Sequence, residues 1–310
     1  MNSQTLQPVR RVAYDWVLWI LLAILGLGVV TFDRSTWPSV IGDEATYLMA
    51  AESLAWDGDL LYERRDFDRF VEHWGVEPEG LILQSGDSGA HITFGKPFFY
   101  PVWVAPFARL WPQNGPFVAN LLLLVLTAVV ATRVLRQTLR AVAPLWVAAF
   151  LFCSVTFAYT FWAHADLFMR CLTALGLSLA FWQEPDPASR ASRANWMVCC
   201  RWMGVGACLA IVVFSRPLYL PLFLPVVMAI PRSRRWWAGV GLLIGALGIA
   251  SGAALVHRVT ADAWTSYGAQ RRGFYTDTGF PEVQFPAAQW NESLDDLGDA
   301  AWTEARSLQL

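Results

Sequence analysis

Charge is scarce in this chain of 310 residues: 15% of them are Asp, Glu, Lys or Arg, while 55% are hydrophobic. Soluble domains carry about 25% charged residues. The composition therefore excludes a soluble globular protein and predicts an integral membrane protein. Lysine occurs only once, at Lys96, and the 22 arginines form no basic run with interleaved aromatic residues. This absence excludes a nucleic-acid-binding surface, which needs such a run along the phosphate backbone.

Cysteine pairs with the spacing of a zinc site and internal repeats are also absent. All five cysteines fall in or beside apolar stretches, and none has the spacing of a zinc site. We expect neither a disulfide framework nor a structural metal ion. A signal-peptide cleavage site is absent too, because the apolar run near 13–32 is too long for a signal-peptide core and lacks a small-x-small sequence. With Arg10 and Arg11 before it, this run predicts an uncleaved signal anchor.

Apolar stretches long enough to cross a bilayer, about 17 to 25 residues each, recur along the chain. Seven candidates lie near 13–32, 116–136, 142–161, 165–182, 199–215, 217–231 and 236–257. The stretch at 217–231 is short and holds three prolines, so we expect it to be bent, tilted or only partly crossing. The sequence predicts an all-α, polytopic membrane bundle of about seven spans.

Arginine sets the predicted orientation, because short cytoplasmic loops carry an excess of Arg and Lys. If all seven stretches cross, four clusters fall on one side together with the N-terminus. Their members are Arg10, Arg11, Arg133, Arg136, Arg140, Arg190, Arg193, Arg201, Arg232, Arg234 and Arg235. Residues 33–115 and the tail after about 258 then face outward. The chain stops in this tail without another span, so we expect 259–310 to begin a truncated part of a longer protein.

The first outer loop, residues 33–115, is too long to be a simple connector. Near its start is Ile41-Gly-Asp-Glu-Ala-Thr-Tyr-Leu48, in which two adjacent carboxylates begin a helical pattern just after the first span. Apolar residues keep helical spacing as far as Leu61, and Asp57-Gly58-Asp59 marks the expected C-cap. We expect this helix to lie on the membrane surface.

Two further elements are predicted in this loop. Residues 81–93 predict a small β-hairpin with its turn at Gly86-Asp-Ser-Gly89. Residues 96–111 are apolar but short, and they contain three prolines and an arginine. We interpret them as a second surface helix, with Pro97 in its first turn, and not as a span.

The motifs occur in a specific order. Gly42-Asp43-Glu44-Ala-Thr-Tyr47 follows the signal anchor, then Lys96-Pro97 starts the second surface helix, and Asn114-Gly115 leads into a span. Tyr159-Thr-Phe-Trp-Ala-His164-Ala-Asp166 lies at an outer junction. This order resembles the N-terminal half of the GT-C superfamily, multi-span glycosyltransferases that include the aminoarabinose transferases of lipid A and the protein O-mannosyltransferases. Phe98 stands where those families carry a second proline after Lys96-Pro97.

The resemblance implies an inverting glycosyltransferase of the bacterial inner membrane, with its active site on the outer face. Residues 1–258 would form the GT-C-like module and 259–310 a periplasmic segment. The donor would be a sugar on a polyprenyl-phosphate carrier, and the acceptor an unidentified lipid, glycan or protein. By resemblance Asp43 is the base that deprotonates the acceptor, Glu44 a supporting acid and Tyr47 a substrate contact. The alternatives are a helix N-cap for Asp43 and a solvated first-turn residue for Glu44.

Asp166 begins an apolar run, where an unpaired carboxylate is costly, so a partner is implied. The candidates are His164, Arg170 and a divalent cation, Mg²⁺ or Mn²⁺, that bridges to Asp43. We count His164 and Asp166 as substrate-binding candidates. The remaining histidines are interpreted as structural: His73, His91 and His257.

The leaving phosphate of such a donor needs fixed cations near the outer surface. The candidates are Lys96, Arg216 and the pair Arg271-Arg272. Arg216 has an alternative as an arginine that reaches to lipid headgroup phosphates. The alternative interpretation of Arg271-Arg272 is that the pair belongs to a solvated loop.

Two other classes of protein stay open at the level of sequence. A transporter or flippase-like protein also places acids and prolines inside a membrane, although we find no inverted repeat. A catalytically silent GT-C-like scaffold, or a non-functional fragment, would share the fold. Asp43 separates these classes, because only an enzyme loses turnover when Asp43 is replaced by Asn.

Overall fold

The computed structural model describes residues 14–34, 39–85, 92–181, 195–261 and 271–275, and this part of the chain is mostly helical. The α-helices are α1 (Asp15–Thr31), α2 (Asp43–Trp56), α3 (Arg64–Trp74), α4 (Phe99–Leu110), α5 (Gly115–Leu139), α6 (Ala143–Phe152), α7 (Asp166–Phe181), α8 (Asn195–Ser215), α9 (Phe223–Met228) and α10 (Arg235–Ala261). Short strands are β1 (Val40–Ile41), β2 (Pro78–Glu79), β3 (Leu81–Ser85), β4 (Ile92–Phe94) and β5 (Arg271–Tyr275). The helical prediction is confirmed, with two small sheets in addition.

The chain divides into two compact units at Asp33, Ala105 and Gly252. The helical unit combines the chain up to Asp33 with Pro106–Gly252. The loop unit combines Arg34–Ala105, most of the predicted first outer loop, with the chain from Ala253 onward. Strand β5, in the described part of the tail, therefore belongs to the same unit as the loop.

In the part of the chain that the structure describes, three helical stretches are long and apolar enough to cross a membrane: Gly115–Phe152, Asn195–Ser215 and Arg232–Thr260. Only 22% to 39% of the residues in their most apolar windows are buried. Apolar surface of this extent is stabilised by lipid and not by water. The predicted count of about seven spans stays a prediction, because Asp15–Thr31 and Pro217–Met228 are shorter apolar helices.

The first of these stretches is interrupted at Arg140, whose φ of 52° breaks the helix. Helices α5 and α6 pack against each other and both pack against α1, so the chain reverses direction at this break. The predicted span at 142–161 is an α-helix only over its ten residues Ala143–Phe152. The chain then leaves the α-helical conformation until Asp166, where α7 begins.

Close backbone contact joins α8 to α10 in the helical unit. A Cβ atom added at Gly245 would overlap the carbonyl oxygen of Met203, and one at Gly206 would overlap that of Leu242. Glycine therefore lets these two helices approach more closely than larger residues would, which is typical of helix pairs in membranes.

Strand β3 is the centre of the sheet in the loop unit. The predicted hairpin is confirmed in its strands, since Leu83 of β3 pairs with Phe94 of β4 in antiparallel register, while its turn lies outside the described residues. On its other edge β3 pairs with β5, Leu81 opposite Tyr275. The sequence did not predict that this part of the tail would join the sheet of the loop.

The predicted helices of the loop are confirmed with changed boundaries, and their position on a membrane surface stays a prediction. Helix α2 ends at Trp56 with Asp57 as its C-cap, as the sequence Asp57-Gly58-Asp59 indicated. Helix α4 begins at Phe99, so the expectation that Pro97 lies in its first turn is wrong. The reason is that Gly95 still donates a hydrogen bond to the sheet, to Ile82 O at 2.8 Å. Residues 95–98 form bends and a turn, not a helix.

Helix α3 was not predicted, because its many charged residues obscure its apolar face. That face holds Phe67, Phe70 and Trp74, which are buried. Local capping explains its limits: Glu63 and Asp66 form a capping box at its start, and Gly75, at φ 70°, ends it.

Candidate functional site

An ion pair between Asp43 and Lys96 lies at the start of α2. The N-cap of this helix is Gly42, and Asp43 is its first residue, so the N-cap interpretation of Asp43 is wrong. Its Oδ1 lies 2.6 Å from Nζ of Lys96. The Lys96 side chain is 14% exposed and that of Asp43 30% exposed. The carboxylate is therefore held by the only lysine of the chain and is still accessible to a solute.

Ile82 of β3 positions both members of this pair. Its N–H donates to Thr46 Oγ1 at 3.0 Å, and Thr46 Oγ1 in turn donates to Gly42 O at 2.8 Å. Its carbonyl oxygen accepts the N–H of Gly95, the residue before Lys96. One strand residue thus fixes the backbone beside Asp43 and the backbone beside Lys96.

A turn at Gly42 directs the chain into α2. Its φ of 65° is a conformation that glycine adopts readily and other residues rarely. The N–H of Gly42 donates to Glu79 O at 2.8 Å, and Ile41 pairs with Glu79 in the parallel β1–β2 ladder. The start of α2 is therefore tied to two strands.

Thr46→Val is expected to loosen the Asp43–Lys96 pair. Thr46 is fully buried, and valine keeps its shape but leaves the N–H of Ile82 without its acceptor, which costs about 1–3 kcal/mol. Since Lys96 is the only lysine, a carbodiimide can join it to Asp43, and mass spectrometry can measure the yield of that isopeptide. We expect a lower yield and a lower melting temperature in Thr46→Val. Thr46→Ser keeps the hydroxyl and is the control; equal yields in the two variants would contradict this assembly.

Glu44 is buried, with 8% of its surface exposed, so the interpretation as a solvated first-turn residue is wrong. Arg34, only 3% exposed, is its electrostatic partner. Burial lowers the pKa of Arg34 to about 9, and the nearby carboxylate of Glu44 opposes this shift. Arg34 is therefore a cation at neutral pH and offsets the charge of Glu44. Arg34 was not predicted as a member of this group, although its place just after the first apolar run was a signal for it.

Tyr47 lies inside the loop unit. It is 5% exposed, and its ring meets that of Tyr100 edge to face, with centroids 5.2 Å apart and an interplanar angle of 88°. The ring of Tyr47 therefore packs α2 against the start of α4.

Glu52 joins α3 to α2. Its Oε1 accepts a hydrogen bond from Trp74 Nε1 at 3.0 Å and lies 3.3 Å from Nδ1 of His73. The hydrogen bond to Glu52 raises the pKa of His73, against the opposing effect of burial. His73 is thus placed in the packing between two helices.

Asp166, at the start of α7, has the partners that its position required. Its Oδ1 lies 3.0 Å from Nη1 of Arg216, and its Oδ2 lies 3.2 Å from Nδ1 of His164. The predicted candidate His164 is therefore confirmed as a neighbour, and Arg216, predicted separately, joins it. Arg170 does not contact Asp166 but donates to Thr156 Oγ1 at 2.7 Å.

The loop that carries His164 is held by a buried amide. Asn120 of α5 is fully buried, and its Nδ2 donates to Tyr159 O at 3.2 Å and to Trp162 O at 2.9 Å. The residues between α6 and α7 are therefore fixed to the bundle, although they are not α-helical.

The donors around these carboxylates do not fit a divalent cation. Mg²⁺ and Mn²⁺ favour a shell of oxygen ligands, whereas Asp43 faces an ammonium group and Asp166 a guanidinium and an imidazole. Among the described residues, no group of three or more His, Cys, Asp or Glu is arranged to hold a metal ion. Asp43 belongs to the loop unit and Asp166 to the helical unit. We derive no step through a metal.

Arg271 and Arg272 begin β5, where their backbones pair with Ser85 and Gln84 of β3. The alternative of a solvated loop is therefore wrong for their backbone. Their side chains lie outside the described part of the structure, as does His91, and a contact with substrate stays a prediction.

Comparisons of this chain with models of protein families, with curated proteins and with solved structures found no match. The resemblance to GT-C enzymes stays a prediction from the order of motifs.

Proposed function

We propose that this chain is an inverting membrane glycosyltransferase that moves a sugar from a polyprenyl-phosphate carrier to an acceptor on the outer face of the membrane. The observation that supports the proposal is the accessible Asp43–Lys96 pair. It places a proton acceptor and a fixed cation side by side at the start of a helix. Transfer from a lipid phosphate needs both groups.

In the proposed reaction Asp43 takes the proton from the acceptor hydroxyl or amine as that atom bonds to the anomeric carbon. The bond from the anomeric carbon to the phosphate oxygen breaks, and its electron pair leaves with polyprenyl phosphate. Lys96 stabilises the negative charge on that leaving group. Glu44, in the first turn of α2, and Arg34 offset each other's charge inside the loop unit.

The second cluster contributes to substrate binding in this proposal. Arg216 is partly exposed, with 40% of its side chain accessible, while its partner Asp166 is 14% exposed. His164 orients Asp166 from the buried side. Arg271 and Arg272 are candidates, with Lys96, for a contact with the phosphate.

The proposal also includes an orientation, with about seven spans, a cytoplasmic N-terminus and an outer loop unit in a bacterial inner membrane. We expect Asp68→Cys, at an exposed position of α3, to react with a membrane-impermeant maleimide in intact cells. Ser233→Cys, in the arginine-rich segment before α10, should react only after permeabilisation, because positively charged loops stay in the cytoplasm. Both variants need a background in which Cys153, Cys199 and Cys200 are serine. Labelling of both sites from outside would contradict the orientation.

Consumption of donor tests the function itself. The purified chain in proteoliposomes would be incubated with polyprenyl-phosphate sugars that carry radiolabel in the sugar, and release from the carrier followed by chromatography. We expect one class of donor to lose its sugar. If a correctly inserted protein consumes none of them but moves a labelled lipid or solute across the bilayer, the transporter class replaces this proposal. If the protein neither consumes a donor nor moves a lipid or solute, the scaffold class replaces this proposal.

A further inference from the structure

An aromatic surface lies on the loop between α6 and α7, and the proposed chemistry does not use it. The rings of Tyr159 and Trp162 are nearly parallel, with centroids 5.3 Å apart and an interplanar angle of 16°. The His164 ring lies 4.8 Å from Trp162 and 6.1 Å from Tyr159. These distances form a triangle and not a line, so Tyr159 and His164 do not sandwich the indole. Trp162 is 42% exposed, which leaves indole surface available to a ligand.

The surface is fixed before any ligand arrives. Asn120 holds the backbone of both aromatic residues. The guanidinium of Arg170 lies 5.1 Å from the centre of the Tyr159 ring, and the same side chain donates to Thr156. Groups that are already ordered add little entropic cost on binding.

Polar groups lie beside the rings. The Tyr159 side chain lies close to Asp166, whose ion-pair and imidazole partners are Arg216 and His164. A carboxylate accepts hydrogen bonds and a guanidinium donates them. Such a pair is complementary to vicinal hydroxyl groups, which donate and accept in turn.

The balance of charge selects the class of ligand. A cation would be attracted by the rings and by Asp166, but the guanidinium of Arg170 already lies over Tyr159 and Arg216 neutralises Asp166. A free phosphate would be attracted by Arg216 but repelled by Asp166. A neutral, rigid ring with an apolar face and hydroxyl groups on its edge fits both the rings of Trp162 and Tyr159 and the charged pair of Asp166 and Arg216.

We infer that Trp162, Tyr159, Asp166 and Arg216 form a saccharide-binding site. The apolar C–H face of a pyranose ring lies on the indole, and its hydroxyls bond to the carboxylate and the guanidinium. The inference rests on the proposed function, since it takes the ring to be that of the donor sugar or of a glycan acceptor.

Binding of free sugars tests the inference without any catalysis. The Asp43→Asn protein in lipid nanodiscs would be mixed with the methyl pyranosides of glucose, galactose, mannose and N-acetylglucosamine. Saturation-transfer NMR would then detect binding. We expect transfer to the ring protons of at least one of them, lost in Trp162→Ala and weakened at least threefold in Arg216→Met. Trp111→Ala is the matched control, since Trp111 is 40% exposed and also lies outside a helix.

Each outcome decides the matter. No transfer from any of the four sugars, or equal transfer in Trp162→Ala and Trp111→Ala, would overturn the inference. If Trp162→Ala does not fold, Trp162→Phe replaces it, because Phe keeps a smaller aromatic face. Unchanged saturation transfer in both Trp162→Phe and Arg216→Met would also overturn the inference.

The failure of this site can be distinguished from the failure of the proposed function. If the protein consumes the donor normally but binds no sugar at Trp162, only the saccharide site is refuted. Sugar binding at Trp162 without any donor consumption refutes the proposed function alone. Competition with the intact lipid-linked sugar shows whether the site binds the donor sugar or a glycan acceptor. The lipid-linked sugar displaces the pyranoside only if the site binds the donor sugar.

Discussion

Asp43→Asn is expected to lower kcat for sugar transfer by about 10²–10⁴-fold, the range that a general base contributes. The amide keeps the size of the carboxylate but cannot take the proton from the acceptor. Because the substitution is made at an accessible position, where Asp43 is 30% exposed, we expect little change in folding and in KM for the donor. Initial rates of transfer, with the melting temperature measured on the same preparation, check this result.

Asp68→Asn is the matched control for that substitution. Asp68 also belongs to the loop unit and also pairs with a cation, Arg64, but its side chain is 61% exposed and it lies on α3. We expect this variant to keep wild-type rates. Asp43→Asn with wild-type turnover, or equal losses in both variants, would show that Asp43 is not the base.

Lys96→Met is the second large effect that we expect. Methionine keeps the unbranched apolar stem and removes the ammonium that lies 2.6 Å from Asp43. Loss of one group that stabilises developing charge lowers kcat by about 10²–10³-fold. Lys96→Arg keeps the charge in a different shape and should recover part of the rate. Arg64→Met, at a 61% exposed position, is the control for a lost surface cation.

Chemical modification gives an independent measurement at the same residue. Lys96 is the only lysine in the chain, so an amine acylating reagent, used after the α-amino group is blocked, reports on this side chain alone. We expect acylation to inactivate the enzyme and the lipid-linked donor to protect it. Inactivation without protection, together with full activity of Lys96→Met, would remove Lys96 from the proposed site.

Local features of the site could be predicted from the sequence, because they depend on residues that are close along the chain. The start of α2 at Gly42-Asp43, its end at Asp57 and the strands of the hairpin all follow from turn and cap residues. The pairing of Asp43 with Lys96 could not be predicted in this way. It depends on hydrogen bonds that meet at Ile82, and nothing in the local sequence sets that register.

Other features were hidden because tertiary contacts decide them. Helix α3 is stabilised by buried contacts, including the hydrogen bond from Trp74 to Glu52, although its sequence is rich in charge. Strand β5 forms only because β3 offers it an edge. Asp166 begins α7 and Arg216 follows the end of α8, so two helices separate them along the chain. The sequence pattern therefore predicted a role for each residue but could not predict that they form an ion pair.

The lipid product of the reaction tests the central claim most directly. Wild-type protein and Asp43→Asn would each be incubated with the purified lipid-linked donor and a cell-envelope extract as acceptor, and the lipids analysed by mass spectrometry. Transfer of the sugar with cleavage at the anomeric carbon predicts that free polyprenyl phosphate accumulates with the wild type and not with Asp43→Asn. Equal accumulation in both would contradict the role of Asp43, and an unchanged donor in both would contradict the proposed glycosyltransferase.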